Sequence, residues 1–208
     1  MKLPVSLENS KIWSLVGPMG PALPEKLLAH SVLGVDGGAR FCSRMDLWVG
    51  DGDSYLETVK CENIYRFPAD KATSDLALAL TFFKTSDSVV LHCWGFLGGR
   101  KDHEILNFGE VLHFLDNTPR SEVHFYQTDG QLALKCLASG VWNFEHQGTF
   151  SLASIKNIKI KIEGACLYPL TSETELPPLS SLGLSNVAKG KFTLTNNGPV
   201  MIFFPGPE

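Results

Sequence analysis

The 208-residue sequence has no C-x-x-C pair, and its five cysteines, Cys42, Cys61, Cys93, Cys136 and Cys166, are odd in number and widely scattered. That pattern disfavours a disulfide framework and a zinc site, and reads as buried, reduced thiols. No apolar stretch approaches the roughly 20 residues that a membrane-spanning helix needs, and residues 1–10 have neither the basic start nor the apolar core of a secretion signal. A cytoplasmic protein without a membrane partner is the expectation. Charge of one sign does not accumulate either: 18 basic against 22 acidic residues give a net charge of -4, with no long run of either sign. Nucleic acid is therefore not an expected partner. The sequence also lacks a Walker A loop, G-x-G-x-x-G, H-E-x-x-H and G-x-S-x-G, which removes the commonest motif-bearing nucleotide, protease and hydrolase classes.

What is present is enough apolar material, 44% of residues, for one good core or two small ones. Short apolar runs at residues 12–16, 31–35, 47–49, 64–67, 89–94 and 123–126 read as strands. Between them residues 24–30, 74–84 and 102–115 read as helices, the second with Ser74 as N-cap. Strand and helix in alternation imply a parallel sheet covered on both faces. After about Gly130 the helical period fades and turn-separated β-type runs take over. Ile158-Lys159-Ile160-Lys161-Ile162 alternates strictly, which puts the isoleucines on one buried face. Residues 192–195, the turn Asn196-Asn197-Gly198-Pro199, and residues 200–204 read as strand, turn and strand. The expected fold class is α/β: an N-terminal three-layer domain with a parallel sheet, residues 1–130, then a small C-terminal β-sandwich, residues 131–208. No internal repeat or low-complexity linker separates the two, so close packing is expected.

Ligands of such sheets bind beyond the carboxyl ends of the strands. The second strand ends in Asp36-Gly37-Gly38-Ala39-Arg40, the third in Gly50-Asp51-Gly52-Asp53-Ser54, and the fifth in Gly95-Phe96-Leu97-Gly98-Gly99-Arg100-Lys101-Asp102-His103. Asp51 and Asp53, two apart, can face the same side of a turning segment. Two carboxylates that close repel unless a cation lies between them, and magnesium, a hard ion that shares its oxygen ligands with phosphates, suits them. The plain alternative is an Asp-Gly turn. Glycines after a strand let backbone N–H groups approach a phosphate, and the forked guanidinium of Arg100 matches phosphate oxygens, although a solvated loop arginine reads the same way. Lys71 and Asp75 bracket the start of the second predicted helix, where a cation and a carboxylate could complete phosphate and metal shells, or simply form a solvated first turn. His92 and His124 fall inside strands and read as packed or surface groups rather than ligands.

Taken in this order, the segments resemble the signature of the thiamin pyrophosphokinases. The matches are Asp36-Gly37-Gly38-Ala39, Asp46 before a strand, Gly50-Asp51-Gly52-Asp53-Ser54, Lys71 to Asp75, and Gly99-Arg100-x-Asp102-His103 with Asn107 downstream. Gly148-Thr149-Phe150-Ser151-Leu152, Tyr168-Pro169-Leu170 and Ser185-Asn186 match more loosely. The resemblance implies a homodimer that binds ATP and magnesium on the α/β part and thiamin at its junction with the sandwich. It implies transfer of a pyrophosphoryl group to the thiamin hydroxyl, giving thiamin diphosphate and AMP. By the same resemblance Asp51, Asp53 and Asp75 hold magnesium, Arg100 and Lys71 meet the phosphates, and Asp102 orients the hydroxyl or accepts its proton. Asp36, Gly37, Gly38, Asp46, Ser54, Lys71, Ser74, His103 and Asn107 are implied on the nucleotide side, and Tyr168, Ser185 and Asn186 on the thiamin side. The chain departs from the family pattern at Ala72, where a carboxylate is usual, at Gly52, where a bulky apolar residue is usual, and at Tyr168 and Leu184. Two other readings stay open: a pyrophosphokinase of the same fold acting on another heteroaromatic alcohol such as a pterin, and a nucleotide-binding sensor without turnover.

Overall fold

The computed structural model describes residues 1–53, 59–84 and 88–205. Six strands, β1 (Ile12–Val16), β2 (Ser31–Val35), β3 (Leu47–Gly50), β4 (Asn63–Arg66), β5 (Val90–Trp94) and β6 (Glu122–Tyr126), run parallel in the order β6-β5-β1-β2-β3-β4. Their side chains alternate between two covered faces, as period-two geometry requires. Trp13, Leu15, Leu33, Val35, Leu91 and Val123 point to one face, which α2 (Asp75–Leu80) and α3 (Lys101–Leu115) cover with Leu76, Leu80, Leu112 and Leu115. Val16, Val32, Trp48 and Trp94 point to the other, under Leu23 and under Leu27 of α1 (Glu25–Leu28). Each such fully buried aliphatic side chain contributes about 1.5–3 kcal/mol relative to its exposed state.

α3 matches the predicted 102–115 to within one residue, but α1 and α2 are shorter than the sequence predicts. α1 is one turn: Pro24 fixes its start, and Arg44 takes up the orphan carbonyls behind it, donating from Nη2 to Leu28 O and His30 O before β2 begins. α2 ends at Leu80 and passes into a 3-10 turn over Thr81–Phe83, where Thr81 Oγ1 bonds back to Leu78 O and buries Phe82 and Phe83. Ser74 does cap α2, accepting from Ala77 N at 3.1 Å.

Beyond β6 the sheet continues without a break and becomes antiparallel. β7 (Leu132–Leu137) pairs with β6, and β12 (Val200–Phe203) pairs with β7. β8 (Gly140–Ala153), β9 (Ile158–Cys166), β10 (Leu170–Leu176) and β11 (Asn186–Asn196) complete the order β10-β9-β11-β8-β12-β7. The result is a mixed sheet of twelve strands among the described residues. β8 belongs to two ladders, pairing β11 through Phe150 and β12 from Ser151 onward. The isoleucines of β9 meet Leu137, Val200 and Ile202 in a second core, while Lys159 faces solvent. The closing strand, turn and strand is not a hairpin: β11 pairs with β8 and β9, and β12 with β7 and β8. The turn at residues 197–199 carries the chain from one ladder to the other.

No helix of the described residues is long and apolar enough to cross a membrane.

Candidate functional site

The chain runs outward through β1, β2, β3 and β4, then returns to β5 on the other side of β1, so strand order reverses between β1 and β5. That is the position at which open α/β sheets form a ligand crevice. The loops after these two strands are laced together: Gly17 N donates to Trp94 O (2.8 Å), Met19 N to Gly95 O (3.0 Å) and Trp94 Nε1 to Pro21 O (2.8 Å). The motif reading gives residues 17–21 no role. Their signal is a pair of glycines directly after the first strand.

Asp36 follows β2 in the left-handed region, φ 49°, with its carbonyl held by Trp48 Nε1 at 2.9 Å. Aspartate tolerates this conformation better than most residues. The turn then packs so tightly on β1 that a Cβ on Gly38 would lie 1.8 Å from Val16 O. Beyond β3, Gly52 takes φ 98°, and Asp53 N donates to Asp51 Oδ1 at 3.1 Å. These two turns bring Asp36, Asp51 and Asp53 together, each offering a carboxylate oxygen within 4.8 Å of the others. Burial raises the pKa of Asp36, Gly37 N opposes the rise, and Asp75, Asp53 and Asp51 add to it. Asp51 is shifted down, chiefly by the Asp53 N–H. Asp36 is thus a half-buried carboxylate among three others, with Lys71 near enough to act on Asp51 and Asp75.

Asp75 is near enough to act on Asp36 but is engaged elsewhere: its buried Oδ1, at the first residue of α2, pairs with Lys71 Nζ of the preceding segment at 3.1 Å. Arg100 and Asp102 are likewise closed on each other, Nε to Oδ1 at 3.1 Å and Nη2 to Oδ2 at 2.5 Å, in full solvent. The guanidinium holds the Asp102 pKa down at about 2. His103 and Asn107 are four apart and share one face of α3.

Not every expected residue reaches this edge. Asp46 sits at the opposite end of β3, where its Oδ2 accepts from Val32 N (2.8 Å) and Arg44 Nη1 (2.9 Å) and its carbonyl accepts from Asn63 Nδ2 (2.8 Å). It ties β2, β3 and β4 together at their amino ends, so its place beside the nucleotide is corrected to a structural one. Ser54 lies outside the described residues.

Tyr168, Ser185 and Asn186 do come together, in the loops flanking β9, β10 and β11. Asn186 Nδ2 donates to Tyr168 O (2.8 Å) while its Oδ1 accepts from Tyr168 N (3.1 Å) and Val187 N (2.8 Å). Ser185, at φ 57°, donates its N–H to Ser151 Oγ at 2.9 Å. Asn186 is thus a clamp on the Tyr168 backbone, and the residue as a whole is 64% exposed. Tyr168 and Asn186 border a cavity of about 190 Å³ over Phe150 and Ile162, and Ser185 borders a groove of about 1150 Å³ along β8. Among the described residues no hydrogen bond or ion pair joins this trio to the carboxylates.

No protein-family model matches the sequence, and no curated protein does. The fold, however, is that of solved thiamin pyrophosphokinases. The thiamine pyrophosphokinase of Bacillus subtilis superposes with a TM-score of 0.70 at 20% identity, covering 95% of this chain and 100% of its own. The enzyme from Geobacillus thermodenitrificans gives 0.64 at 21% identity, over 94% and 98% of the two chains. That from Candida albicans gives 0.66 at 15%, over 92% and 88%. The match therefore spans both the parallel strands and the antiparallel ones that follow.

Proposed function

We propose that this chain is a thiamin pyrophosphokinase, transferring a pyrophosphoryl group from ATP to the hydroxyl of thiamin to give thiamin diphosphate and AMP. The observation that carries the reading is the convergence of Asp36, Asp51 and Asp53 at the carboxyl edge of a fold shared with those enzymes. Three carboxylate oxygens within 4.8 Å, one of them on a residue whose pKa is raised by burial and by its neighbours, suit a hard divalent cation. Asp36, Asp51 and Asp53 would hold magnesium, with Asp75 joining once Lys71 turns to a phosphate. When bound, the ion neutralises charge on the polyphosphate.

The remaining work falls to the chain's own groups. Arg100 leaves Asp102 for the phosphate oxygens, whose greater negative charge attracts it and whose spacing its fork also matches, and the same movement frees Asp102 to accept the hydrogen bond of the incoming hydroxyl. The alcohol oxygen bonds to the β-phosphorus, the bond from that phosphorus to the oxygen shared with the α-phosphate breaks, and AMP departs. The hydroxyl proton passes to Asp102 late in the step, once the departure of Arg100 has lifted the main hold on its pKa. Such a displacement needs positioning and charge stabilisation more than covalent help.

The reading includes a cytoplasmic homodimer in which the α/β part, residues 1–130, carries ATP and a β-sandwich, residues 131–208, carries thiamin. It is supported by the sheet order, in which β9 and β10, either side of Tyr168, lie at the opposite end from β2 and β3, which lead to Asp36 and Asp51. Incubation with ATP, magnesium and thiamin tests it: AMP is the expected nucleotide product. ADP in equal amount to product would reject pyrophosphoryl transfer. No product with thiamin but AMP with a pterin alcohol would reassign the acceptor.

A further inference from the structure

Arg66 closes β4, the edge strand of the parallel part, on the flank of the carboxylates away from Arg100. The sequence motifs give it no role. Its backbone is fixed to the carboxylate edge: Arg66 is the ladder partner of Gly50, and Phe67 N donates to Gly50 O at 2.9 Å. Gly50 in turn packs on Asp36, whose Cα would lie 3.1 Å from a Cβ placed there. The Arg66 side chain, exposed to solvent, lies along the Asp51-Gly52-Asp53 turn. A Cβ on Gly52 would stand 3.6 Å from both Cδ and Nε of Arg66 and 3.7 Å from Cζ. Any side chain longer than a methyl on that course would meet the guanidinium, and the Gly52 φ of 98° already disfavours one. Gly52, one of the residues at which the sequence departs from the pyrophosphokinase pattern, is therefore what gives Arg66 its place.

We propose that Arg66, admitted to the turn by Gly52, is a further polyphosphate-binding residue, donating to phosphate oxygens on the side of the carboxylates away from Arg100. The inference rests on the reading of the carboxylate edge as a magnesium and polyphosphate site. Position supports it: β4 and β5, which lead to Arg66 and Arg100, each lie two strands from β2, which leads to Asp36, roughly 10 Å at about 4.8 Å per strand. The two guanidiniums thus bracket the carboxylates from opposite flanks. Lys71 is the other cation that acts on Asp51, and it is paired with Asp75. Without ligand, the charge of Arg66 offsets the carboxylates of the turn it lies on. Once a divalent cation offsets them instead, its fork serves phosphate, whose oxygens it matches in pairs. The two situations have opposite signs: the guanidinium opposes magnesium alone and favours magnesium with polyphosphate.

Magnesium alone, and inorganic tripolyphosphate in the presence of magnesium, are titrated by calorimetry into the full chain and into Arg66→Gln and Arg66→Lys. Both changes fall on an exposed residue, and melting curves establish that each variant is folded. Arg66→Gln should lose tripolyphosphate affinity roughly tenfold or more, the scale of a charge-assisted hydrogen bond, while binding magnesium alone at least as tightly as wild type. Arg66→Lys, which keeps the charge without the fork, should fall between the two. Unchanged tripolyphosphate affinity in folded Arg66→Gln overturns the role of Arg66 and leaves the carboxylate reading intact. Equal losses for magnesium alone and for tripolyphosphate also overturn it, since they mark a brace on the turn and not a phosphate ligand. Wild type that binds no tripolyphosphate in the presence of magnesium overturns both.

Discussion

Lys71, in the segment that leads into α2, reaches Asp75 at the helix start, Nζ to Oδ1 at 3.1 Å, and neutralises a carboxylate that does not join Asp36, Asp51 and Asp53. Asp75 Oδ1 is buried and has no hydrogen-bond partner of good geometry beyond this ion pair. Lys71→Met should therefore lower stability by about 1–3 kcal/mol in denaturant melts, the cost of an unsatisfied buried acceptor. Asp75→Asn added to it should restore part of the loss. Strictly additive losses would show that the two side chains do not support each other.

Asp36 carries the opposite burden. Its pKa is raised in the folded chain, so the unfolded chain ionises more readily and the residue costs stability above its folded pKa, a cost that disappears in acid. Asp36→Asn should raise the melting temperature at pH 7 without magnesium, and asparagine keeps the left-handed turn. The same variant should lose the magnesium-dependent rise in melting temperature expected of wild type. Asp53→Asn, on an exposed residue, should leave the fold intact and cut turnover by several powers of ten.

His30 stacks on His92 at 4.7 Å, His92 meets His124 edge-on at 5.0 Å, and His92 Nδ1 bonds Tyr126 Oη at 2.8 Å. Glu122, Lys135 and Lys26 are the charged groups facing this cluster from β6, β7 and α1. Burial, then the other imidazoles, push the His92 pKa down to about 4, and burial lowers His30 and His124. Between pH 6.5 and about 4 the unfolded chain binds more protons, so stability should fall as pH drops through that window. His92→Phe should flatten the slope of melting temperature against pH there. An unchanged slope would mean that the cluster does not titrate on unfolding.

If one site draws Asp53 from one subunit and Tyr168 from its partner, inactive Asp53→Asn and Tyr168→Ala proteins should complement when mixed. Random exchange of an equal mixture makes half the dimers mixed, each with one sound site, so activity should return to roughly a quarter of wild type. Continued inactivity after demonstrated exchange would place both residues in one chain's site.

The carboxylate edge was legible because Asp36 and Asp51 each follow a short apolar run and lie among glycines, so strand end and turn coincide in the sequence. Asp46 was not. It precedes its strand, so chain direction alone puts it at the amino end with Arg44 and Val32, and only the family resemblance implied a place beside the nucleotide. β7 and β10 escaped notice for different reasons. Leu132-Ala133-Leu134-Lys135-Cys136-Leu137 packs on both faces and does not alternate, and β10 is an edge strand whose Thr and Glu residues face water. The engagement of Arg100 with Asp102 is equally hidden, since two residues two apart reveal no choice of rotamer.

β12 lies between β7 and β8 in the sheet although all the other strands precede it in the chain. A ribosome delivers residues 200–203 only after every other strand has emerged. Until then β7 and β8, consecutive in sequence, flank a vacant lane, and the ladder from the parallel strands to β11 is interrupted at its middle. The early strands can collapse during synthesis, but the joining of the two ladders waits for the last strand, a pairing of long sequence separation and therefore slow. A chain truncated before residue 200 should be cut readily by protease between β7 and β9, and one that extends past residue 203 should resist.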